Sequence, residues 1–286
     1  MSMSAVGFIG LGNIGAPMAR RLLGIDRPLV VHDVVAAATE PFVAEGAVAA
    51  ATPAEVASAA SVISVVVQTE DQVRDVLDGG DGILSTASPG TVVAVHSTIS
   101  AEGAVALAEL TSAAGVDLVD APISGGAMGA HEGTLAMMVG GAPDAVEQVR
   151  PVLDRYATLV VHAGGVGSGT RMKIARNLIT FASYAAAGEA MALASAAGLD
   201  VADLGDVVRH SDRVTGGPGA VMIRPDASLL ADDDGLRAIF AHTATLGTKD
   251  LDLAAELGAE RGVDTPFAAA ARRSLAAALG LESYPS

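Results

Sequence analysis

The chain of 286 residues has no cysteine. Disulfides, thiol nucleophiles and cysteine-ligated zinc are therefore excluded, and a cytoplasmic location is expected. Aromatic residues are nearly as scarce at 3%, although hydrophobic residues together reach 51%. Much of that fraction is alanine, which predicts a close-packed and largely helical core. Positive charge is thin: 17 basic residues oppose 33 acidic ones, a formal net charge of −16. Such a balance argues against a nucleic-acid backbone or an anionic membrane as partner. A small anionic substrate remains compatible, because a local site can oppose the global sign. No basic n-region or cleavage signal precedes the first strand-like run. The most membrane-like stretch, Leu178 to Ala197, contains Gly188, Glu189 and several hydroxyls. It reads as a buried helix of a soluble protein rather than a span.

Two residue types are rare enough to be informative. Lysine occurs only at Lys173 and Lys249, against fifteen arginines, and asparagine only at Asn13 and Asn177. A guanidinium stays protonated at any working pH, whereas a desolvated lysine can exchange a proton. Lys173 and Asn177 stand at i and i+4 of one helical run and so share a face. Biased composition alone also leaves a few lysines at random positions, and the motifs below decide between the two readings.

The length suits two domains, or one large α/β unit with an appendage. In the first half, short β-type runs alternate with helical segments, the pattern of a parallel sheet covered on both faces. The strand candidates are Val6–Gly10, Leu29–Asp33, Val62–Val67, Thr91–His96, Val116–Ala121, Leu135–Gly140 and Leu159–Ala163. Thr52-Pro53-Ala54-Glu55 has the form of a capping box with proline at the first helical position. The pattern changes at the glycine-rich stretch 164–169. One alanine-rich helix then runs from Thr170 to Ala197 and is stopped by Gly198. At 1.5 Å per residue it is roughly 40 Å long, enough to join two domains. The rest reads as helices, so the expected division is an α/β domain over 1–164 and an all-α domain over 165–286. Asp232-Asp233-Asp234 is read as a solvated loop, and no metal site is expected.

Gly10-Leu11-Gly12-Asn13-Ile14-Gly15 follows the run Val6–Ile9 and precedes a helical stretch from Ala16 to Leu23. This is G-x-G-x-x-G between a strand and a helix. The first glycine allows the turn, the second lets the backbone approach a pyrophosphate, and the third lets helix and strand pack closely. Alone the motif is weak, since such turns also occur for structural reasons and in methyltransferases. Asp33 ends the second strand, where a carboxylate accepts from ribose hydroxyls and repels a 2′-phosphate. No arginine follows it before Arg74, which favours NAD over NADP. A helix N-cap is the other role open to Asp33, although Val34-Val35 supports it poorly. Further on, Asp120-Ala121-Pro122-Ile123-Ser124-Gly125-Gly126 lies at the end of another strand. Ser124 with the Gly125-Gly126 amides makes either a small nest for a carboxylate or an ordinary glycine turn.

These segments, together with Gly133-Thr134-Leu135, Met138-Val139-Gly140-Gly141, the helix bearing Lys173 and Asn177, and Lys249-Asp250-Leu251, occur in a fixed order. In that order the chain resembles the β-hydroxyacid dehydrogenase family over nearly its whole length. The resemblance implies a Rossmann domain, a long interdomain helix and an all-helical C-terminal domain. It implies Lys173 as catalytic acid/base, Asn177 as its substrate-orienting partner, and Ser124, Gly125 and Gly126 around a substrate carboxylate. Thr98 and Lys249 would lie beside cofactor and substrate, and Val67-Gln68 beside the adenosine ribose and nicotinamide. Two positions depart from the family pattern. Gln68 stands where many members have proline, and His242 stands seven residues before Lys249 where members often have phenylalanine. His242 is thus a candidate for tuning substrate choice, while His131 and His162 read as solvated or structural.

The expectation is an NAD-dependent oxidoreductase that interconverts a short 3-hydroxy acid and its semialdehyde or ketone. Its partners would be a small carboxylate substrate and one or three further copies of the chain. The alternatives are an imine- or other carbonyl-reducing relative of the same fold, a methyltransferase with a similar loop, and a catalytically silent dinucleotide-binding scaffold.

Overall fold

Every β-type run named above is a strand in the computed structural model, which describes residues 4–283. In chain order the elements are β1 (Ala5–Ile9), α1 (Gly15–Arg20), β2 (Leu29–His32), α2 (Glu40–Ala44), β3 (Val48–Ala49), α3 (Pro53–Ala59) and β4 (Ala60–Val65). Next come α4 (Glu70–Asp78), β5 (Val92–Val95), α5 (Ala101–Ser112), β6 (Asp117–Asp120), β7 (Ile123–Ser124), α6 (Gly126–Glu132), β8 (Leu135–Gly140), α7 (Pro143–Leu153) and β9 (Ala157–Gly164). The helices α8 (Ser168–Ala196), α9 (Val201–Thr215), α10 (Gly235–Arg261) and α11 (Pro266–Ala278) complete the chain. The last strand ends at Gly164, and two compact units divide between Arg176 and Asn177, inside α8.

The strands form one sheet in the order β3-β2-β1-β4-β5-β6-β8-β7, with β9 beside β8. It is parallel from β3 to β6, as the alternation of strands and helices implies, and β8 runs antiparallel to both β6 and β7, a return the sequence pattern does not mark. The segment 125–134 between β7 and β8 is shorter than a parallel crossover needs, and the chain turns straight back. Side chains alternate across the sheet with the strand period of two. Val6, Phe8, Val62, Val92 and Ala94 face one hydrophobic cluster, whereas Ile9, Ile63, Val65, Val93 and Val95 face the other. The core is therefore built on both faces of a sheet rather than being largely helical, because β-branched residues fill the strands. In the second unit, Leu230, Phe240 and Leu279 make the only such cluster among the described residues.

Helix ends follow from local chemistry. Thr52 accepts from the Glu55 N–H, but the Glu55 carboxylate reaches back to the Ala51 N–H rather than to Thr52, so that box closes one residue early. The complete box is Thr69 with Gln72 at the start of α4. α1 stops at Arg20, short of the expected Leu23, as its last turn tightens to i→i−3 bonds at Arg21, Leu22 and Leu23. Asp234 caps α10 through the Leu236 N–H and Asp232 pairs with Arg237, which gives two of the three loop aspartates a structural role. The expectation of a buried helix at 178–197 is also corrected: Leu178, Phe181, Tyr184 and Met191 of α8 are exposed. α8 is the one described helix long and apolar enough to cross a membrane. Hydropathy reports a need for cover, and the single chain supplies little of it.

A buried polar chain ties the sheet together. His96 Nδ1 donates to the Ala121 carbonyl (2.8 Å), leaving Nε2 to accept from the Tyr156 hydroxyl (3.3 Å). That hydroxyl in turn accepts from Ser64 (3.0 Å), and the His96 and Tyr156 rings meet edge to face. Burial lowers the His96 pKa from 6.5 to about 4. Between those values the unfolded chain takes up a proton that the folded chain refuses, so stability falls as pH falls through the window. Above pH 6.5 neither state carries the proton and the contribution is fully present. The loss from this group is about 3 kcal/mol across the window. Denaturant unfolding of wild type and His96→Gln between pH 7 and 4 should show a flatter dependence in the variant. Parallel losses in the two proteins would refute the assignment.

Candidate functional site

The ends of β1, β2 and β4 converge on the glycine loop. Gly10 turns at φ +95°, and a Cβ there would overlap the Val66 carbonyl oxygen. A Cβ on Gly15 would overlap the Gly10 carbonyl oxygen, which is why α1 and β1 can approach so closely. Around Gly12 no atom lies within 4 Å of a built Cβ, so its glycine is not demanded by the protein's own packing. Ile14 precedes α1 and offers no side-chain acceptor to its first turn. The three glycines thus divide into two that the fold requires and one that leaves room for a ligand backbone to approach.

Asp33 holds this loop from the side. Its Oδ2 accepts from the Leu11 N–H at 2.6 Å and its Oδ1 from the Val35 N–H at 2.8 Å. The second bond is a local turn; Asp33 caps no helix, since the short helical turn that follows starts after Val35 and has no side-chain cap. Each carboxylate oxygen keeps a further lone pair for a ligand hydroxyl. A cleft of about 400 Å³ opens here between Gly10, Gly12, Asp33, Val67 and Gln68. Two neighbouring clefts of about 210 and 620 Å³ adjoin Asp33 on its other sides. Asp75 and Asp81 line these clefts, and no lysine or arginine does.

Val67 and Gln68 are fixed by two residues that the sequence did not single out. The Ser97 hydroxyl donates to the Val67 carbonyl (2.6 Å) and accepts from its N–H (3.2 Å). Gln72 Oε1 accepts from the N–H groups of Gln68 (2.8 Å) and Thr69 (3.2 Å). The Thr69-x-x-Gln72 spacing was a readable signal for the second, whereas nothing local marks Ser97. Thr98 follows Ser97 and is exposed.

Lys173 lies beside the second cluster. Its Nζ donates to the Ile123 carbonyl at 2.5 Å, on the short strand that leads into Ser124, Gly125 and Gly126. Gly125 and Gly126 both have positive φ, +130° and +63°, a turn that side-chain-bearing residues resist. The Lys173 ammonium is half-buried, and its pKa is lowered first by desolvation and then by the Arg176 guanidinium. A lysine held below its ordinary range can exchange a proton beside this glycine turn. Asn177 stands one helical turn further along α8. His242 and Lys249 lie on the unbroken helix α10, and Lys249 Nζ is 2.9 Å from Asp250. Asn177, His242 and Lys249 belong to the second unit. Two of the remaining histidines are structural: His32 meets the Ala50 carbonyl, and His162 meets the Gly141 and Gly164 carbonyls.

The residues present fit a dinucleotide, since Gly12 leaves an open cradle above a glycine turn and Asp33 offers acceptors beside it. Gly12→Val should leave the thermal unfolding midpoint unchanged while weakening dinucleotide affinity by at least about tenfold. Calorimetric titration with NAD measures the second quantity, and undiminished affinity would remove Gly12 from the site.

Comparison with known proteins agrees with this geometry. Residues 5–165 match the NAD binding domain of 6-phosphogluconate dehydrogenase, and residues 167–283 match the NAD-binding domain of NADP-dependent 3-hydroxyisobutyrate dehydrogenase. An uncharacterized oxidoreductase of Mycobacterium tuberculosis is 50% identical, covering 96% of this chain and 93% of its own. The NAD-dependent L-serine dehydrogenase of Pseudomonas aeruginosa is 34% identical, covering 93% and 89%. The crystal structure of an oxidoreductase from Mycobacterium avium superposes with a TM-score of 0.92 at 48% identity, covering 98% and 99%. With both halves of the chain matched, and its glycine loop and Lys173 turn formed, the protein is an NAD(P)-binding oxidoreductase of the β-hydroxyacid dehydrogenase family.

Proposed function

We propose that the protein oxidises a short 3-hydroxy acid to its semialdehyde or ketone, and catalyses the reverse, with NAD as cofactor and Lys173 as general acid/base. The observation that carries this reading is the half-buried Lys173 ammonium held against the Ile123 carbonyl, next to the Ser124-Gly125-Gly126 turn. Gly10, Leu11, Gly12, Asn13, Ile14 and Gly15 would hold the dinucleotide phosphates, Asp33 the adenosine ribose, and Val67, Gln68, Thr98 and Lys249 the remainder. The bound dinucleotide would supply the hydride acceptor. Ser124, Gly125 and Gly126 would bind the substrate carboxylate, and Asn177 would orient the hydroxyl. Neutral Lys173 takes the hydroxyl proton during oxidation, and its ammonium returns it to the developing alkoxide during reduction. Burial and Arg176 both shift Lys173 toward the neutral form that oxidation needs.

Three acidic side chains around the clefts support NAD over NADP. A 2′-phosphate there would meet Asp33, Asp75 and Asp81 with no facing cation among the lining residues. The Pseudomonas relative, named for NAD and for L-serine, supports both the cofactor and a 3-hydroxy acid substrate. The exposed apolar face of α8 supports self-association as dimer or tetramer. Glu189 of the same helix, which accepts from the Phe267 and Ala268 N–H groups, speaks against a bilayer as the cover. His242, a polar ring on α10, would favour a polar or anionic substrate tail.

Absorbance at 340 nm with a panel of small hydroxy acids, run with NAD and NADP separately, tests the reading. Turnover of at least one 3-hydroxy acid with a higher kcat/KM for NAD is expected. Silence across the panel would overturn the activity, and equal or better efficiency with NADP would overturn the cofactor.

Lys173→Arg keeps the charge but removes proton exchange near neutral pH. Its kcat should fall by about 10² to 10⁴. A folded variant that retains more than about a tenth of wild-type kcat is incompatible with Lys173 as the proton-transfer residue.

A further inference from the structure

We propose that Asp120 is a positioning residue: its buried carboxylate, reaching from the end of β6 to the first turn of α8, sets where Lys173 meets the Ile123 carbonyl. The proposal rests on Lys173 as the acid/base. Asp120 is 1% exposed, and its two oxygens are spent on main-chain donors of α8's start. Oδ1 accepts from the Gly167 N–H at 2.7 Å and Oδ2 from the Thr170 N–H at 2.6 Å. A helix normally receives this service from its own N-cap side chain. Gly167, which precedes α8, has none, and the acceptor comes from a strand 47 residues earlier in the chain.

The surrounding glycines make the arrangement possible. A Cβ on Gly169 would overlap the Met138 and Asp120 carbonyl oxygens, and one on Gly140 would overlap Asp120 Oδ1. The start of α8 is therefore seated against β6 and β8 with no room for side chains between them. Lys173 follows Thr170 by three residues, about 4.5 Å of helix rise. Ile123 follows Asp120 by three residues on the other side of the same junction. Fixing Thr170 on Asp120 thus fixes both ends of the Lys173–Ile123 hydrogen bond. Desolvation and then the Arg176 guanidinium, in the next turn of α8, lower the Lys173 pKa once the amine is placed.

Three variants probe the junction. Asp120→Asn replaces one acceptor by an amide N–H that must face a main-chain donor. Thr170→Pro removes the Thr170 N–H together with its buried hydroxyl, and proline is tolerated in a first helical turn. Thr170→Val removes the hydroxyl alone and so separates the two. The readout is the titration of Lys173 itself. With two lysines in the chain, ¹³C-reductive methylation gives two side-chain signals, assigned by the loss of one in Lys173→Arg. Asp120→Asn and Thr170→Pro should move the Lys173 midpoint up toward the ordinary lysine range as the amine leaves its half-buried place. They should leave the NAD dissociation constant within about twofold of wild type and lower kcat by on the order of tenfold to 10². An unmoved midpoint in these two folded variants overturns the proposal, as does a midpoint that moves only together with lost NAD affinity. Should Asp120→Asn fail to fold, Thr170→Pro decides. The titration needs no substrate, so it stands even where the hydroxy-acid panel is silent and the proposed activity has failed.

Discussion

A buried carboxylate, Asp120, with no ion pair to a side-chain cation among the described residues, ties the end of β6 to the start of α8. Burial pushes the Asp120 carboxyl up, and the Thr170 and Gly167 N–H groups pull it part of the way back. Leaving such a group unpaired would cost at least about 1–3 kcal/mol, so the sheet and the start of α8 are committed to one another. The partial positive charge of the helix N-terminus adds to the attraction. Gly140 and Gly169 are the steric condition for it, since a methyl at either place would hold the two elements apart. The sheet is in this way coupled to the lysine through backbone geometry rather than through a chain of side chains.

The rest of the site follows from where the strands end. Gly10 follows β1, Asp33 follows β2, Val67 follows β4, Ser97 follows β5 and Asp120 closes β6. The chain leaves β1 for β2 and β3 on one side, then crosses to β4 on the other. That reversal opens a crevice at the carboxyl ends of the strands, where an open α/β sheet binds ligands. Polar side chains stitch these ends together: Asp33 to Leu11, Ser97 to Val67, and His96 to Ala121. Each bond joins the ends of two neighbouring strands, so the loops that would touch a ligand are set by the rigid sheet below them.

Features that the sequence made legible are those carried by neighbours in the chain. Gly10 and Gly15 were readable because a turn and a close helix crossing each require glycine within six residues. The strands were readable because Val, Ile and Leu fill them with the right period. The helix bearing Lys173 was readable from its length and its stop at Gly198. What escaped was long-range. Asp120 read only as the strand end leading into the Ser124-Gly125-Gly126 turn, and nothing within ten residues signals that Gly167 and Thr170 donate to it. Ser97 clamps Val67 across 30 residues, and the antiparallel return of β8 depends on the short link after Ser124. The burial of α8 was misjudged for a related reason: hydropathy measures what a helix needs covered and is silent on which surface covers it.

The two lysines show how position, more than residue type, sets the chemistry. Lys249 is exposed and lies against the Asp250 carboxylate, an ion pair at the surface of α10. Lys173 has lost part of its solvent, and the first charge along its helix is an arginine that cannot give up its proton. Arg176 therefore acts as a fixed positive charge that disfavours a second one. Had position 176 been a lysine, the two amines would share the titration, and neither would be committed to the neutral form. An acidic chain that writes almost every cation as arginine gains from this a single titratable amine in a half-buried, positively biased place. The Ile123 carbonyl then accepts from that amine in either protonation state, so the donor stays in position while its charge changes.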